Sequence, residues 1–309
     1  MDFYEKLAKH SVPVSLEPSE TSYFSAPGAG LDPRLFRDGK IIPSIRASIL
    51  RILFEHLKNH YYNPDAFATV WLAGSGVSYQ WSASRNPADL DCLVGINYLM
   101  FRQSNPQYKT LSDAQIADMI NQDFRTDLYP LTENFMGTFE LTFYVNVKTD
   151  IRQIKPYAAY SLTHDDWTVQ PEIKTPPKNK ILEQIVARDL SMTTDILSRY
   201  ATALNTIGSA TTDTARRNAE SALRLAVEQG VALFDQIHTS RREAFSPSGL
   251  GYTDAANYRW QAGKQAGTVQ ALRKLKDIAK KSKQEFETET YGMELPDVNV
   301  LIRRALGGR

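Results

Sequence analysis

The dominant period of the hydrophobic positions changes from 2 to 3.6 near residue 175. Up to about residue 175 they form short apolar runs or alternate with polar residues, as β-strands require, with two stretches of helical spacing in between. Phe67 to Leu72, Leu90 to Ile96 and Phe139 to Thr149 read as strands. The third has a clean apolar set (Phe139, Leu141, Phe143, Val145, Val147) opposite a polar one (Glu140, Thr142, Tyr144, Asn146, Lys148). A helix is expected over Pro43 to Tyr61, with Pro43 at its start and Ile45, Ile49, Ile52, Leu53 and Leu57 along one side. A second helix runs from Leu111 to Tyr129, opened by a capping box of Ser112 and Gln115 and stopped by Pro130. A short strand is expected at Trp167 to Gln170.

Thr175-Pro176-Pro177-Lys178 reads as a linker, and beyond it the period is 3.6. Helices are expected over Lys180 to Ile207, Asp213 to Thr239 and Asp254 to Gln284, each with an apolar stripe for packing helix on helix. The fold class that follows is α+β. Residues 1–43, rich in Pro, Ser and Gly after a short helix at Asp2 to His10, form an N-terminal arm. Residues 44–175 form a mixed domain, and residues 180–309 a helical bundle.

Composition narrows the class without naming a chemistry. The chain has 309 residues, 42% hydrophobic and 23% charged, with a net charge of +1. That balance is ordinary for a globular protein and demands neither a nucleic acid nor a membrane partner. The single cysteine, Cys92, excludes an intramolecular disulfide and a cysteine-rich zinc site. The N-terminus lacks the apolar segment of a signal peptide, and no run reaches the length of a membrane span. A cytoplasmic protein without a membrane partner is expected.

The candidate chemistry sits in Val70 to Ile96, VWLAGSGVSYQWSASRNPADLDCLVGI. An apolar run ends in Gly74-Ser75. Thirteen residues follow, Gly76 to Ala88, and Asp89-Leu90-Asp91 opens a second apolar run. Carboxylates at i and i+2 of a strand point to one side, so Asp89 and Asp91 can share a hard cation. Gly74 lets the backbone approach a ligand, and Ser75 adds a hydroxyl beside amides that can cradle a phosphate. Arg85 and Asn86-Pro87 in the spacer read as a turn, with Arg85 either solvated or reaching a phosphate.

The stretch resembles the signature of the DNA polymerase beta-like nucleotidyltransferase superfamily: a hydrophobic strand, Gly-Ser, a spacer, then Asp-x-Asp. The resemblance covers this block and, more loosely, the strand at Glu140. It implies a nucleotidyltransferase-like mixed sheet with flanking helices ahead of the helical bundle. It implies Mg²⁺ (or Mn²⁺) held by Asp89, Asp91 and a third carboxylate, with Gly74 and Ser75 on the nucleotide phosphates. Glu140 is the best match for the third carboxylate, and Asp150 at the strand end is its rival. The implied reaction moves an NMP from an NTP to an acceptor hydroxyl and releases pyrophosphate. The acceptor is an RNA 3′ end by slight preference, or a nucleotide, a small molecule or a protein. The alternative is a nucleotide- or RNA-binding protein on the same fold with a degenerate site. A phosphate loop of the Gly-x-x-x-x-Gly-Lys-Ser/Thr kind and a Gly-x-Ser-x-Gly elbow are both absent from the sequence.

The RNA preference rests on Arg241, Arg242, Phe245 and Tyr252 in a loop after the second bundle helix, with Arg259 and Trp260 close behind. Basic residues interleaved with aromatics suit phosphates and stacked bases. From Arg241 onward there are 13 Lys and Arg against 8 Asp and Glu, which a solvated helix face explains equally well. His56 and His60 lie one helical turn apart. Leu57 stands where a metalloprotease helix needs glutamate, so two surface histidines are expected rather than a zinc site.

Overall fold

A computed structural model describes residues 3–82, 87–147 and 150–292. Arg85, Asn86 and Lys148 lie outside the described residues. The chain divides into two compact units, each interrupted in sequence. One comprises the described residues of 22–175 together with 245–252. The other comprises those of 1–21, 176–244 and 253–292. The segment 1–43 is therefore shared between the two.

In chain order the elements are α1 (Phe3–His10), β1 (Phe36–Arg37), β2 (Lys40–Ile41), α2 (Pro43–His60), β3 (Ala68–Ala73), β4 (Ala88–Ile96), α3 (Tyr98–Ser104), α4 (Asp113–Asp123), α5 (Tyr129–Thr132), β5 (Phe139–Asn146), β6 (Ala159–Ser161), β7 (Asp166–Val169), α6 (Lys180–Ser209), α7 (Asp213–Ala244), α8 (Ala255–Gln265) and α9 (Thr268–Tyr291). The class is α+β.

The first unit is built on a mixed sheet of order β5-β4-β3-β6-β7. The β3–β4 and β3–β6 pairs are antiparallel, whereas β4 and β5 are parallel, Ala88 facing Phe139 and Gly95 facing Asn146. A parallel pair needs a crossover, and α3, α4 and α5 provide it. One face of the sheet carries the main core, where Val70, Leu72, Leu90, Cys92, Val94, Leu141 and Phe143 pack with Ile49 and Leu53 of α2 and Ile116 and Ile120 of α4. The other face holds a smaller cluster of Trp71, Ala73, Leu93, Ile151, Ile154 and Ala159. Asn121 brackets the outer edge of β5. Its side-chain amide donates to the Val145 carbonyl at 3.0 Å and its oxygen accepts from the Val145 N–H at 2.7 Å, which closes off an edge that would otherwise pair with another strand.

Several expected boundaries move. β4 starts two residues early, so Asp89 and Asp91 lie inside the strand. β5 ends at Asn146, and Val147 is exposed beyond it instead of buried. The capping box of Ser112 and Gln115 is present, but Pro130 does not stop the helix. The chain widens into a π turn at Phe124–Leu128, and Pro130 sits in the first turn of α5, where no N–H is required. β6 is an additional strand that no alternation announced. His56 is buried, contrary to the expected pair of surface histidines.

In the second unit α1, α6, α7, α8 and α9 share one core, with Leu7, Tyr200, Leu223, Leu233, Trp260 and Leu272 inside it. The expected helix over Asp254 to Gln284 is two helices. Gly267 breaks it at φ +81°, and a Cβ there would lie 2.5 Å from the Glu17 backbone nitrogen. The N-terminal segment thus occupies the notch that the break leaves. No helix among the described residues is long and apolar enough to cross a membrane.

Candidate active site

The sheet brings the expected residues to one end of one face. Asp89 and Asp91 are two apart on β4, on the same side as Leu93 and away from the main core. Asp89 is the register partner of Glu140 on β5, and Asp91 that of Thr142 and of Ala73 on β3. Register partners share a face, so Asp89, Asp91 and Glu140 stand on adjacent strands looking the same way, all half-buried. Asp150 lies outside β5 and is exposed. Its carboxylate accepts from the Arg152 N–H at 3.0 Å as the cap of the short helix Ile151–Ile154. Of the two rival carboxylates, Glu140 is the one beside the pair.

Gly74 ends β3 directly against Asp91. Its φ is +90°, and a Cβ at that position would lie 2.9 Å from Asp91 Oδ2. Only a residue without a side chain lets the turn at Ser75–Val77 pass this close to the carboxylate. Ser75, Gly76 and Asp89 line a narrow cleft of about 20 Å³ together with Arg34, Gln80 and Trp81.

Tyr129 and Thr142 touch the acidic groups, and Arg34 lines the neighbouring cleft. The Tyr129 hydroxyl donates to Glu140 Oε1 at 2.7 Å. That hydrogen bond, with burial adding to it, pushes the Tyr129 phenol up to about 12, so it stays a donor at neutral pH. The Thr142 hydroxyl lies 3.4 Å from Asp91 Oδ1. Arg34 pairs with the buried Asp32 at 2.6 Å and lies over the Phe139 ring, 4.9 Å from its centre. Burial, then the charge of Asp91, pushes the Cys92 thiol well above its ordinary value, so it serves the core and not the chemistry. Thr142 could have been read from the polar parity of β5. Arg34 belongs to a distant segment, and Tyr129 meets Glu140 only across a turn, so neither carries a local signal.

Most of the arginine–aromatic set is turned into packing or ion pairs. Arg241 and Arg242 belong to the last turn of α7 and not to a loop. Trp260 is 5% exposed and Tyr252 2%, so neither ring offers a face for a base. Trp260 sits under the Arg241 guanidinium at 5.1 Å. Tyr252 packs on Tyr23 and Tyr157, with ring centres at 4.7 and 4.6 Å. Arg259 is held by Asp189 through two hydrogen bonds of 2.5 and 2.8 Å. Phe245 and Tyr252 also belong to a different unit from Arg241, Arg242, Arg259 and Trp260. Arg241, Tyr252, Arg259 and Trp260 are occupied in packing or ion pairing, which the sequence pattern could not distinguish from recognition, whereas Arg242 is exposed.

No family model matches the chain, and neither a curated protein nor a solved structure matches it.

Proposed function

We propose that the sheet-bearing unit is a nucleotidyltransferase-like domain whose Asp89, Asp91 and Glu140 support metal-dependent transfer of an NMP from an NTP to an acceptor hydroxyl. One observation carries the reading: the parallel register sets Glu140 beside Asp89, and Gly74 makes room for a ligand-facing turn against Asp91. Three carboxylates on one face suit Mg²⁺ or Mn²⁺, which take oxygen ligands and share them with substrate phosphates. The bare backbone at Gly74 lets the turn lie against Asp91, whose carboxylate occupies the space a Cβ would take.

On this reading Asp89 and Asp91 would hold the cations and Glu140 one of them. Bound Mg²⁺ would offset the negative charge of the triphosphate and of the transition state. Gly74 and Ser75 would receive the outer phosphates, and Arg34 would add a guanidinium at the same cleft. Glu140 would take the proton of the acceptor hydroxyl while its oxygen forms a bond to the α-phosphorus. The bond from that phosphorus to the β-phosphate oxygen breaks, and pyrophosphate leaves. Tyr129 would fix the carboxylate of Glu140 through Oε1.

The test is incubation with each common NTP labelled at the α-phosphate, with Mg²⁺ or Mn²⁺ and with total RNA, beside an Asp89→Asn/Asp91→Asn control. Label passing into RNA, protein or a small product, and absent from the control, is expected. The control should fold like wild type, because the paired carboxylates repel each other without a cation. Wild-type activity in the double variant would sink the assignment. Nucleotide binding with no transfer in any mixture would instead favour a binding protein with a degenerate site.

A further inference from the structure

We propose that His60, Asp123 and Asp127 form a second metal site, suited to Zn²⁺ or a similar transition-metal ion and separate from Asp89 and Asp91. His60 is the last residue of α2 and Asp123 the last of α4. Asp127 lies in the π turn Phe124–Leu128 that follows. The three side chains each bring one ligand atom to within 4.8 Å of the others. His60 Nε2 is 3.6 Å from Asp127 Oδ2. Bonds of about 2.0–2.1 Å at tetrahedral angles hold ligand atoms about 3.3–3.4 Å apart. That edge is nearly formed, and an ion would have to draw Asp123 closer to complete the set.

The donor set and its surroundings favour a borderline cation over Mg²⁺. An imidazole nitrogen beside carboxylates selects for zinc and its neighbours, whereas Mg²⁺ prefers oxygen alone. Asp123 is 3% exposed and accepts a hydrogen bond from the Tyr61 hydroxyl on Oδ2. A partner of that kind orients a ligating carboxylate. His60 packs on His56, with ring centres 4.5 Å apart, which restricts the imidazole plane. Asp127 is half-exposed, so an ion has a way in and a water a place as fourth ligand. π turns recur at functional sites, and this one carries Asp127. The ion would tie the end of α2 to the π turn, two segments more than sixty residues apart in sequence.

The experiment is a titration of the full chain, freed of metal with a chelator, with Co²⁺ and Zn²⁺. Visible absorption reports Co²⁺, and a thermal-shift assay reports Zn²⁺. Wild type is expected to bind one equivalent into this site and to melt higher with Zn²⁺, because an ion bound only by the folded state stabilises it. His60→Ala and Asp127→Asn should each weaken binding at least about tenfold. Asp89→Asn/Asp91→Asn should leave this equivalent intact, and that arm separates the proposal from the transferase reading. Asp127 is exposed, so Asp127→Asn folds even where His60→Ala does not. Failure of wild type to bind either ion would overturn the proposal. So would binding that survives Asp127→Asn and is lost in the Asp89/Asp91 variant.

Discussion

Gly74 carries the tightest constraint at the candidate site. It pairs a positive φ with a carboxylate 2.9 Å from where a side chain would begin. Gly74→Ala should cost about 1–2 kcal/mol from the backbone alone and should abolish transfer by pushing Asp91 aside. Urea denaturation beside the label-transfer assay checks both effects; a variant as active as wild type would mean that the close approach is incidental. Tyr129 offers a second test. Its phenol is raised to about 12 because Glu140 accepts its proton in a hydrogen bond. A raised acid contributes stability that is fully present below its unfolded value near 10 and lost as pH climbs through about 12. Tyr129→Phe should therefore lower stability by about 1 kcal/mol, equally at pH 7 and pH 9, as urea midpoints at the two values would reveal. The sequence displayed the shared face of Asp89 and Asp91 because strand parity is local, whereas Glu140 came from the family resemblance, with Asp150 as its rival. It hid Tyr129, whose partner lies across a turn, and it hid the His60, Asp123 and Asp127 group because α2 and the π turn meet only after folding.

Between elements, charged pairs do the joining that the sequence pattern had suggested for ligands. Arg259 of α8 and Asp189 of α6 are both largely buried and doubly hydrogen-bonded. Removing one partner strands the other, so Arg259→Ala should destabilise the fold by about 3 kcal/mol or more. A denaturation curve indistinguishable from wild type would contradict this. Glu285 of α9 gathers Lys9 at 2.6 Å, Lys6 at 3.0 Å and His10 from α1. The hydrogen bonds from Lys9, Lys6 and His10 hold its carboxyl down to about 2, against an ordinary 4.5. A depressed acid contributes stability that is present above its unfolded value and lost as pH falls through the folded one. Acid should thus loosen α1 from α9 between about pH 4.5 and 2, and Glu285→Gln should remove that pH dependence. Stability of wild type and variant, measured across the window, would reveal it.

For the whole molecule, the consequential fact is that neither compact unit is a continuous piece of chain. Residues 245–252 return to the sheet unit, where Tyr252 packs on Tyr23 and Tyr157, and residues 1–21 belong with the helices. A chain cut at residue 175 keeps every strand but loses Tyr252, and it leaves α1 without α7 and α9. It should melt below the same residues in the full chain, by calorimetry or circular dichroism; an unchanged transition would show that these returns contribute nothing to the sheet unit. The α+β class, the strands β3, β4 and β5, the long helices and the shared face of Asp89 and Asp91 were legible in the residues alone, because periods of 2 and 3.6 are written residue by residue. Tertiary structure alone decided the rest. It set Glu140 against Asp89 through a parallel register that spans a whole crossover. It split the last helix at Gly267 to admit the N-terminal segment. It also turned Arg259, Tyr252 and Trp260 inward, since a buried ring or ion pair and an exposed one have the same letters and differ only in what packs against them.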